Sequence, residues 1–92
     1  MTAEQPTVFI VLQQNEETRP VVDAIIIDNP GAVVERQPAM VKINVPGRLV
    51  VRRETLEEEI GRPYDLREMH VNLITLTGNV DESDDEFILS WT

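Results

Sequence analysis

Short apolar runs alternate with turn-forming residues along the chain, and their periods predict mainly strands. Residues 7–14, "TVFIVLQQ", form a β-rich run typical of a buried strand. The run at 39–45 alternates, with Val41, Ile43 and Val45 on one side. Further strands are predicted at 32–37, 48–53, 70–77 and 86–91. The turn signal "VPGR" predicts that the strands at 39–45 and 48–53 form a hairpin.

A first helix is predicted between residues 18 and 28, where apolar residues recur three and four positions apart. Thr18 is placed as its N-cap, and Pro20 falls in the first turn. Three consecutive isoleucines at 25–27 leave a strand open as an alternative, because β-branched residues have a lower helix propensity. The capping residues and the spacing together favour the helix.

A second helix is predicted over residues 54–61. Thr55 and Glu58 have the spacing of a capping box, and Gly61 suits the helix end. Asp65 and Glu68 repeat the capping pattern, which predicts a short helical turn at 66–69.

The predicted order is therefore β-α-β-β-β-α-β-β. This order is typical of an α+β domain with a mixed β-sheet and two main helices. With 92 residues, the chain has the length of one domain. We expect residues 1–6 to form a flexible N-terminal arm and residues 7–92 to form a single domain.

The segment 70–77 stands apart, because neither side of the predicted strand is purely apolar. One side would carry Val71, Leu73, Thr75 and Thr77, and the other Asn72, Ile74 and Leu76. This mixture leaves open whether one side meets a partner while the other closes the core.

The charge of the chain narrows the classes of partner. Asp and Glu number 17 against 8 Lys and Arg, a net charge of −9. This balance disfavours nucleic acid and anionic membranes, both of which need cationic contacts. There is no cysteine, no signal-peptide pattern and no apolar run near the ~20 residues of a membrane span. We therefore expect a cytoplasmic protein.

Residues with catalytic chemistry are few. The only histidine, His70, follows the predicted helical turn at 66–69, and a lone histidine there is more often a surface or core-edge residue than a catalyst. Ser83 and Ser90 lie in no nucleophile motif, and the glycines form no phosphate loop. A diiron site of the Glu-x-x-His type would need an acid three residues before His70, where Arg67 stands.

The acidic run "DESDDE" at 81–86 resembles the start of a calcium loop. However, Glu86 stands at the sixth position, where such a loop needs glycine, and Thr92 stands at the twelfth, where it needs glutamate. We therefore interpret the run as a solvated acidic turn and predict no metal site.

Three stretches together resemble a known family: "DNPGAVVERQPAMVKI" (28–43), "RRETLEEEIGRPYDLREM" (52–69) and "TGNVDESDDEFILSW" (77–91). They are similar to the regulatory, or effector, proteins of bacterial multicomponent phenol hydroxylases, which are related to the regulators of toluene and methane monooxygenases. The similarity runs from about Val8 to Trp91.

The resemblance implies a function without catalysis or cofactor. Such proteins bind the large subunit of a hydroxylase that holds a diiron centre, close to its active site. They tune oxygen activation, substrate access and the coupling of electron transfer to hydroxylation, and they compete or cooperate with a reductase.

The resemblance also implies a docking region downstream of the "IGR" motif at 60–62. The predicted hydroxylase contacts are Asn72, Ile74, Thr75, Leu76, Thr77, Gly78 and Asn79. Asn29 and Pro30 are predicted as a second, weaker contact. The long N-terminal tail of the methane regulators has no counterpart in the roughly six residues before the first predicted strand.

Two other classes remain as alternatives. An acidic inhibitor or nucleic-acid mimic that blocks a basic site would lose affinity steeply as salt rises. An enzyme would show turnover on its own.

Overall fold

Seven strands and two α-helices follow one another in the computed structural model, which describes residues 6–91. Their bounds are β1 Thr7–Gln13, α1 Thr18–Asp28, β2 Val33–Gln37, β3 Met40–Pro46, β4 Arg48–Arg52, α2 Arg53–Ile60, β5 Leu73–Leu76, β6 Asn79–Glu82 and β7 Glu86–Ser90. A short 3-10 helix, Leu66–Asn72, precedes β5. The predicted α+β class and the order of elements are confirmed, with β6 as an additional strand. Apart from Pro6, the predicted N-terminal arm lies outside the described residues, and it stays a prediction.

The strands form two antiparallel sheets, so the prediction of one mixed sheet is wrong. The larger sheet has the order β2-β3-β1-β5, and the smaller has the order β4-β7-β6. The predicted hairpin of β3 with β4 is also wrong, because β4 pairs with β7 in the other sheet. Gly47, at φ 80°, turns the chain between them, and its N–H donates to the Pro6 carbonyl at 2.8 Å. The local alternation predicted strands but did not determine which strands pair.

Both sheets and both helices contribute to one hydrophobic core. The predicted inward side of β3 is confirmed, since Val41, Ile43 and Val45 are all buried. They pack in one cluster with Val8, Ile10 and Leu12 of β1, Leu49 and Val51 of β4, and Phe87 and Leu89 of β7. The helices add Val21, Val22, Ala24, Ile25 and Leu56. These positions are apolar at the period of their own element, which is why burial of one face was predictable.

The start of α1 uses Thr18 differently from the prediction. Asn15 Oδ1 accepts from the Thr18 backbone N–H at 3.0 Å, and the Asn15 N–H donates to Thr18 Oγ1 at 3.0 Å. The side chains of Asn15 and Thr18 therefore cap each other's backbone N–H groups, with Asn15 three residues before Thr18. Its hydroxyl also donates to the Gln13 carbonyl, so the buried side chain ties the helix to the end of β1.

The predictions for the other helix ends are confirmed only in part. The predicted capping box of α2 is absent, because Thr55 Oγ1 donates instead to Asp28 Oδ1 at 2.7 Å. Gly61 ends α2 in the left-handed region at φ 84°, as predicted. The capping box of Asp65 and Glu68 is present at the 3-10 helix.

We expect the Asp65 cap to make stability pH-dependent at acid pH. The side chain and then the backbone N–H of Arg67 lower the pKa of Asp65 from 3.8 to about 2. Because the folded-state pKa is depressed, this contribution is fully present above the ordinary pKa and is lost as pH falls from about 4 towards 2. Urea unfolding of wild type and Asp65→Asn across this range measures the effect. Parallel losses of stability in the two proteins would contradict the assignment to Asp65.

Candidate docking surface

The predicted docking segment is divided among three structural elements. Residues 70–72 end the 3-10 helix, β5 covers only Leu73–Leu76, and residues 77–79 pass into β6. The strand predicted over 70–77 is thus shorter than expected, because the Asp65 capping box starts a helical segment that continues to Asn72.

Asn72 is buried and serves this protein's own fold. Its Oδ1 accepts from Asn15 Nδ2 at 2.9 Å, and its Nδ2 donates to Glu17 Oε2 at 3.2 Å. The amide thereby joins the end of the 3-10 helix to the turn before α1. Because both polar ends of the side chain are used, we do not assign Asn72 a direct contact with a partner.

An irregularity in β5 determines which of its side chains are free. Val11 of β1 pairs with Thr75, and the next residue, Leu12, pairs with Leu73, so Ile74 is the extra residue of a bulge. Leu73 packs against the core, while Ile74 is 46% exposed. The bulge therefore presents an isoleucine to solvent beside the exposed Thr75.

The connection from the larger sheet to the smaller one runs through Leu76, Thr77 and Gly78. Leu76 is half-buried against the core. The Thr77 N–H donates to the Phe9 carbonyl at 3.0 Å, and Thr77 Oγ1 accepts from the Phe9 N–H at 3.0 Å. A Cβ on Gly78, which has φ 95°, would lie 2.9 Å from the Ser90 carbonyl oxygen. Gly78 is therefore required by strain and by the close approach of β7, whereas Asn79 is exposed.

Asn29, the predicted second contact, is also a buried structural residue. Its Nδ2 donates to the carbonyls of Ile25 and Val50, each at 2.7 Å, and its Oδ1 accepts from the Val50 N–H at 2.9 Å. Val50 lies in β4, an edge strand whose outward backbone groups have no neighbouring strand. Asn29 satisfies those groups, while the adjacent Pro30 is exposed. We therefore leave this pair out of the candidate docking surface.

The register of the larger sheet places β5 at the end of a broader surface. Residues directly opposite one another in antiparallel strands project from the same side of a sheet. Two such rows point away from the core: Val33, Asn44 and Phe9 form one, and Glu35, Lys42, Val11 and Thr75 form the other. We call these seven residues the outer face. The sequence predicted Thr75 but not the other six, because their alignment depends on strand pairing.

Both charged side chains of the outer face, Glu35 and Lys42, contact uncharged neighbours within it. The Lys42 ammonium lies 4.2 Å from the centroid of the Phe9 ring. Asn44 Nδ2 donates to Glu35 Oε2 at 2.7 Å. Phe9, Lys42 and Asn44 are half-buried, and Val33 is 60% exposed.

The histidine and the acidic run, which were the candidates for catalysis or metal binding, make structural contacts. His70 Nε2 lies 2.9 Å from Glu82 Oε2, and its ring meets the Phe87 ring edge-on with 6.0 Å between centroids. Ser83 Oγ accepts from the N–H groups of Asp85 and Glu86, which shapes the acidic turn. Within residues 6–91, no three His, Asp or Glu side chains are grouped to hold a metal ion.

The helices of the described part of the chain, residues 6–91, include none with the length and apolarity needed to cross a membrane.

Comparison with known proteins now places the chain. A model of the MmoB/DmpM family matches residues 6–90. The chain belongs to the MmoB/DmpM family. It is 55% identical over 84 residues to the stimulatory component DmpM of phenol 2-monooxygenase from Pseudomonas sp. (strain CF600), covering 91% of this chain and 93% of that protein. The family resemblance expected from the sequence is thereby confirmed.

Solved structures agree with the family assignment. A chain in a structure of a phenol hydroxylase–regulatory protein complex has a TM-score of 0.91 and 49% identity, and the match covers 95% of this chain and all of that one. The regulatory protein B of soluble methane monooxygenase has a TM-score of 0.74 at 20% identity, over all of this chain and 70% of that one. At that identity the second match shows the shared fold alone.

Proposed function

We propose that this protein is the regulatory component of a phenol hydroxylase, and that it stimulates the enzyme by binding its hydroxylase. The observation that carries the proposal is the 55% identity to a stimulatory component across 91% of the chain. The diiron centre, the electron supply and the hydroxylation belong to the partner proteins in this proposal. The regulatory component itself does no chemistry. A cytoplasmic location stays a prediction.

A regulatory protein of this kind works through differential binding. A bound protein shifts a conformational equilibrium only by binding one state better than the other, however tightly it binds both. We propose that the segment from Ile74 to Asn79 contacts the hydroxylase through its exposed residues. Leu76 and Gly78, which are half-buried, hold the backbone of this segment in place. Buried Asn72, directly before β5, anchors the start of this segment through its hydrogen bonds to Asn15 and Glu17.

Titration into a reconstituted phenol hydroxylase tests the proposal. The protein is added at increasing concentration to purified hydroxylase and reductase, and hydroxylated product and consumed NADH are measured together. We expect the rate of product formation to rise to saturation and the ratio of product to NADH to rise with it. The same assay without hydroxylase should give no product.

Two results would contradict the proposal. An unchanged rate and an unchanged ratio at saturating concentration would remove the regulatory function. Inhibition that disappears steeply with added salt would favour an acidic inhibitor acting on a basic site.

A further inference from the structure

We infer that the hydroxylase docks across the whole outer face of the four-stranded sheet, and that the hydroxylase surface covering it is largely uncharged. This inference rests on the proposed function and extends the docking surface beyond β5. The partner is the hydroxylase rather than a second copy of this chain.

Continuity across the sheet is the first argument. Thr75 of β5 lies in the same row as Val11, Lys42 and Glu35, so the exposed end of β5 is one margin of a surface that reaches β2. Neighbouring strands are about 4.8 Å apart, so three strand spacings place Val33 on β2 roughly 14 Å from β5. A partner that contacts Thr75 with a flat surface of ordinary interface size would cover this distance.

The distribution of charge is the second argument. The four strands of the larger sheet contain one acid, Glu35, and two bases, Arg36 and Lys42, a net charge of +1. The chain as a whole carries −9, so the rest of it carries −10. Charged residues are depleted at the centres of protein interfaces, because their desolvation is costly. Two of the seven outer-face residues, Glu35 and Lys42, are charged, but their opposite charges leave the face without net charge, unlike the acidic helices and smaller sheet.

The apolar content of the outer face is the third argument. The solvated face of an antiparallel sheet ordinarily carries polar residues. Here Val33, which is 60% exposed, and half-buried Phe9 interrupt that pattern, while Val11 in the neighbouring row is buried. Both helices contribute their buried residues to the core on the other side of the sheet, together with Ile10 and Ile43. Exposed Val33 and half-buried Phe9 therefore match an uncharged partner surface.

A matched pair of substitutions tests the inference. Val33→Glu introduces a carboxylate on the outer face, and Ile27→Glu introduces one on α1. The two native side chains are similarly exposed, at 60% and 56%. Both variants have the same net charge, so a difference in hydroxylase affinity between them reflects the position of the added carboxylate. We expect Val33→Glu to raise the dissociation constant for the hydroxylase by about tenfold or more, since it buries an unpaired charge, and Ile27→Glu to change it by less than about twofold.

Folding and oligomeric state are measured alongside binding. Circular dichroism and thermal unfolding establish that each variant is folded. If Val33→Glu is unfolded, Val33→Lys with Ile27→Lys replaces the pair, because an edge strand tolerates lysine. Equal hydroxylase affinities for the two folded variants, with stimulation by wild type intact, would overturn the inference and leave the proposed function standing.

Two further outcomes are distinguishable. Wild-type protein that neither binds nor stimulates the hydroxylase would overturn the proposed function and this inference with it. Sedimentation that shows a dimer broken by Val33→Glu, with hydroxylase binding unchanged, would assign the outer face to a second copy and overturn the inference.

Discussion

Replacing Asn29 by alanine is expected to lower the free energy of unfolding by about 2–4 kcal/mol, because three backbone groups lose the hydrogen bonds that this buried side chain makes to them. The carbonyls of Ile25 and Val50 and the N–H of Val50 all bond to this one side chain. Water cannot readily replace it, since Asn29 is only 5% exposed. In a domain of this size such a loss corresponds to a fall in melting temperature of about 10 °C or more.

Asp28, the residue before Asn29, also bonds to the edge of β4 and to the start of α2. Its carboxylate accepts from the Arg52 N–H at 3.0 Å and from Thr55 Oγ1 at 2.7 Å. Two consecutive side chains thus satisfy the open edge of β4 and hold the start of α2. The edge is thereby protected from pairing with another chain.

Urea or thermal unfolding of Asn29→Ala and Pro30→Ala measures the effect. Pro30 is the neighbouring residue and is exposed, so it provides the matched control. We expect Pro30→Ala to change the unfolding free energy by less than about 1 kcal/mol. Similar stabilities for the two variants would show that the Asn29 bonds contribute little.

Replacing Ile74 by glutamate is expected to weaken hydroxylase binding by about tenfold or more while leaving the fold intact. Ile74 is the extra residue of the β5 bulge and is 46% exposed, so a charge there costs the free protein little. In the docked state the same carboxylate would be removed from water without a partner. Saturation of the hydroxylation rate with the variant gives its apparent affinity.

Ile27→Glu is the control for this variant also, since it changes another exposed isoleucine on a different element. Stimulation by Ile74→Glu at wild-type concentrations would show that β5 does not meet the hydroxylase. Weak binding by Ile74→Glu but normal binding by Val33→Glu would confine the docking surface to β5. The two substitutions together therefore measure how far the interface extends across the sheet.

Side-chain polarity was an unreliable guide to solvent exposure. Asn29 and Asn72 were predicted to contact the hydroxylase, and both are buried in this chain. Their amides bond to groups far away in the sequence: Val50 is 21 residues from Asn29, and Asn15 is 57 residues from Asn72. No local pattern distinguishes an asparagine with such a partner from one that faces solvent.

Exposed Ile74 and half-buried Leu76 were separated only by the bulge. Both were assigned to the same side of a regular strand, as the period of two requires. The shift of register between Val11 and Leu12 breaks that period, so Leu76 packs against the core and Ile74 does not. A bulge depends on how two strands pair, so it could not be predicted from the sequence of either strand alone.

The sequence by itself determined the α+β class, the succession of helices and strands, the inward side of β3 and the family. These follow from periodicity, end signals such as Gly61 and the Asp65 cap, and residue identities in order, all of which are local or linear properties. Only the tertiary structure decided that the strands form two antiparallel sheets, that Asn29 and Asn72 are buried, and that Thr75 joins Val11, Lys42 and Glu35 in one row. Strand pairing brings residues together across long separations, and its free energy depends on the whole assembled core rather than on any one segment.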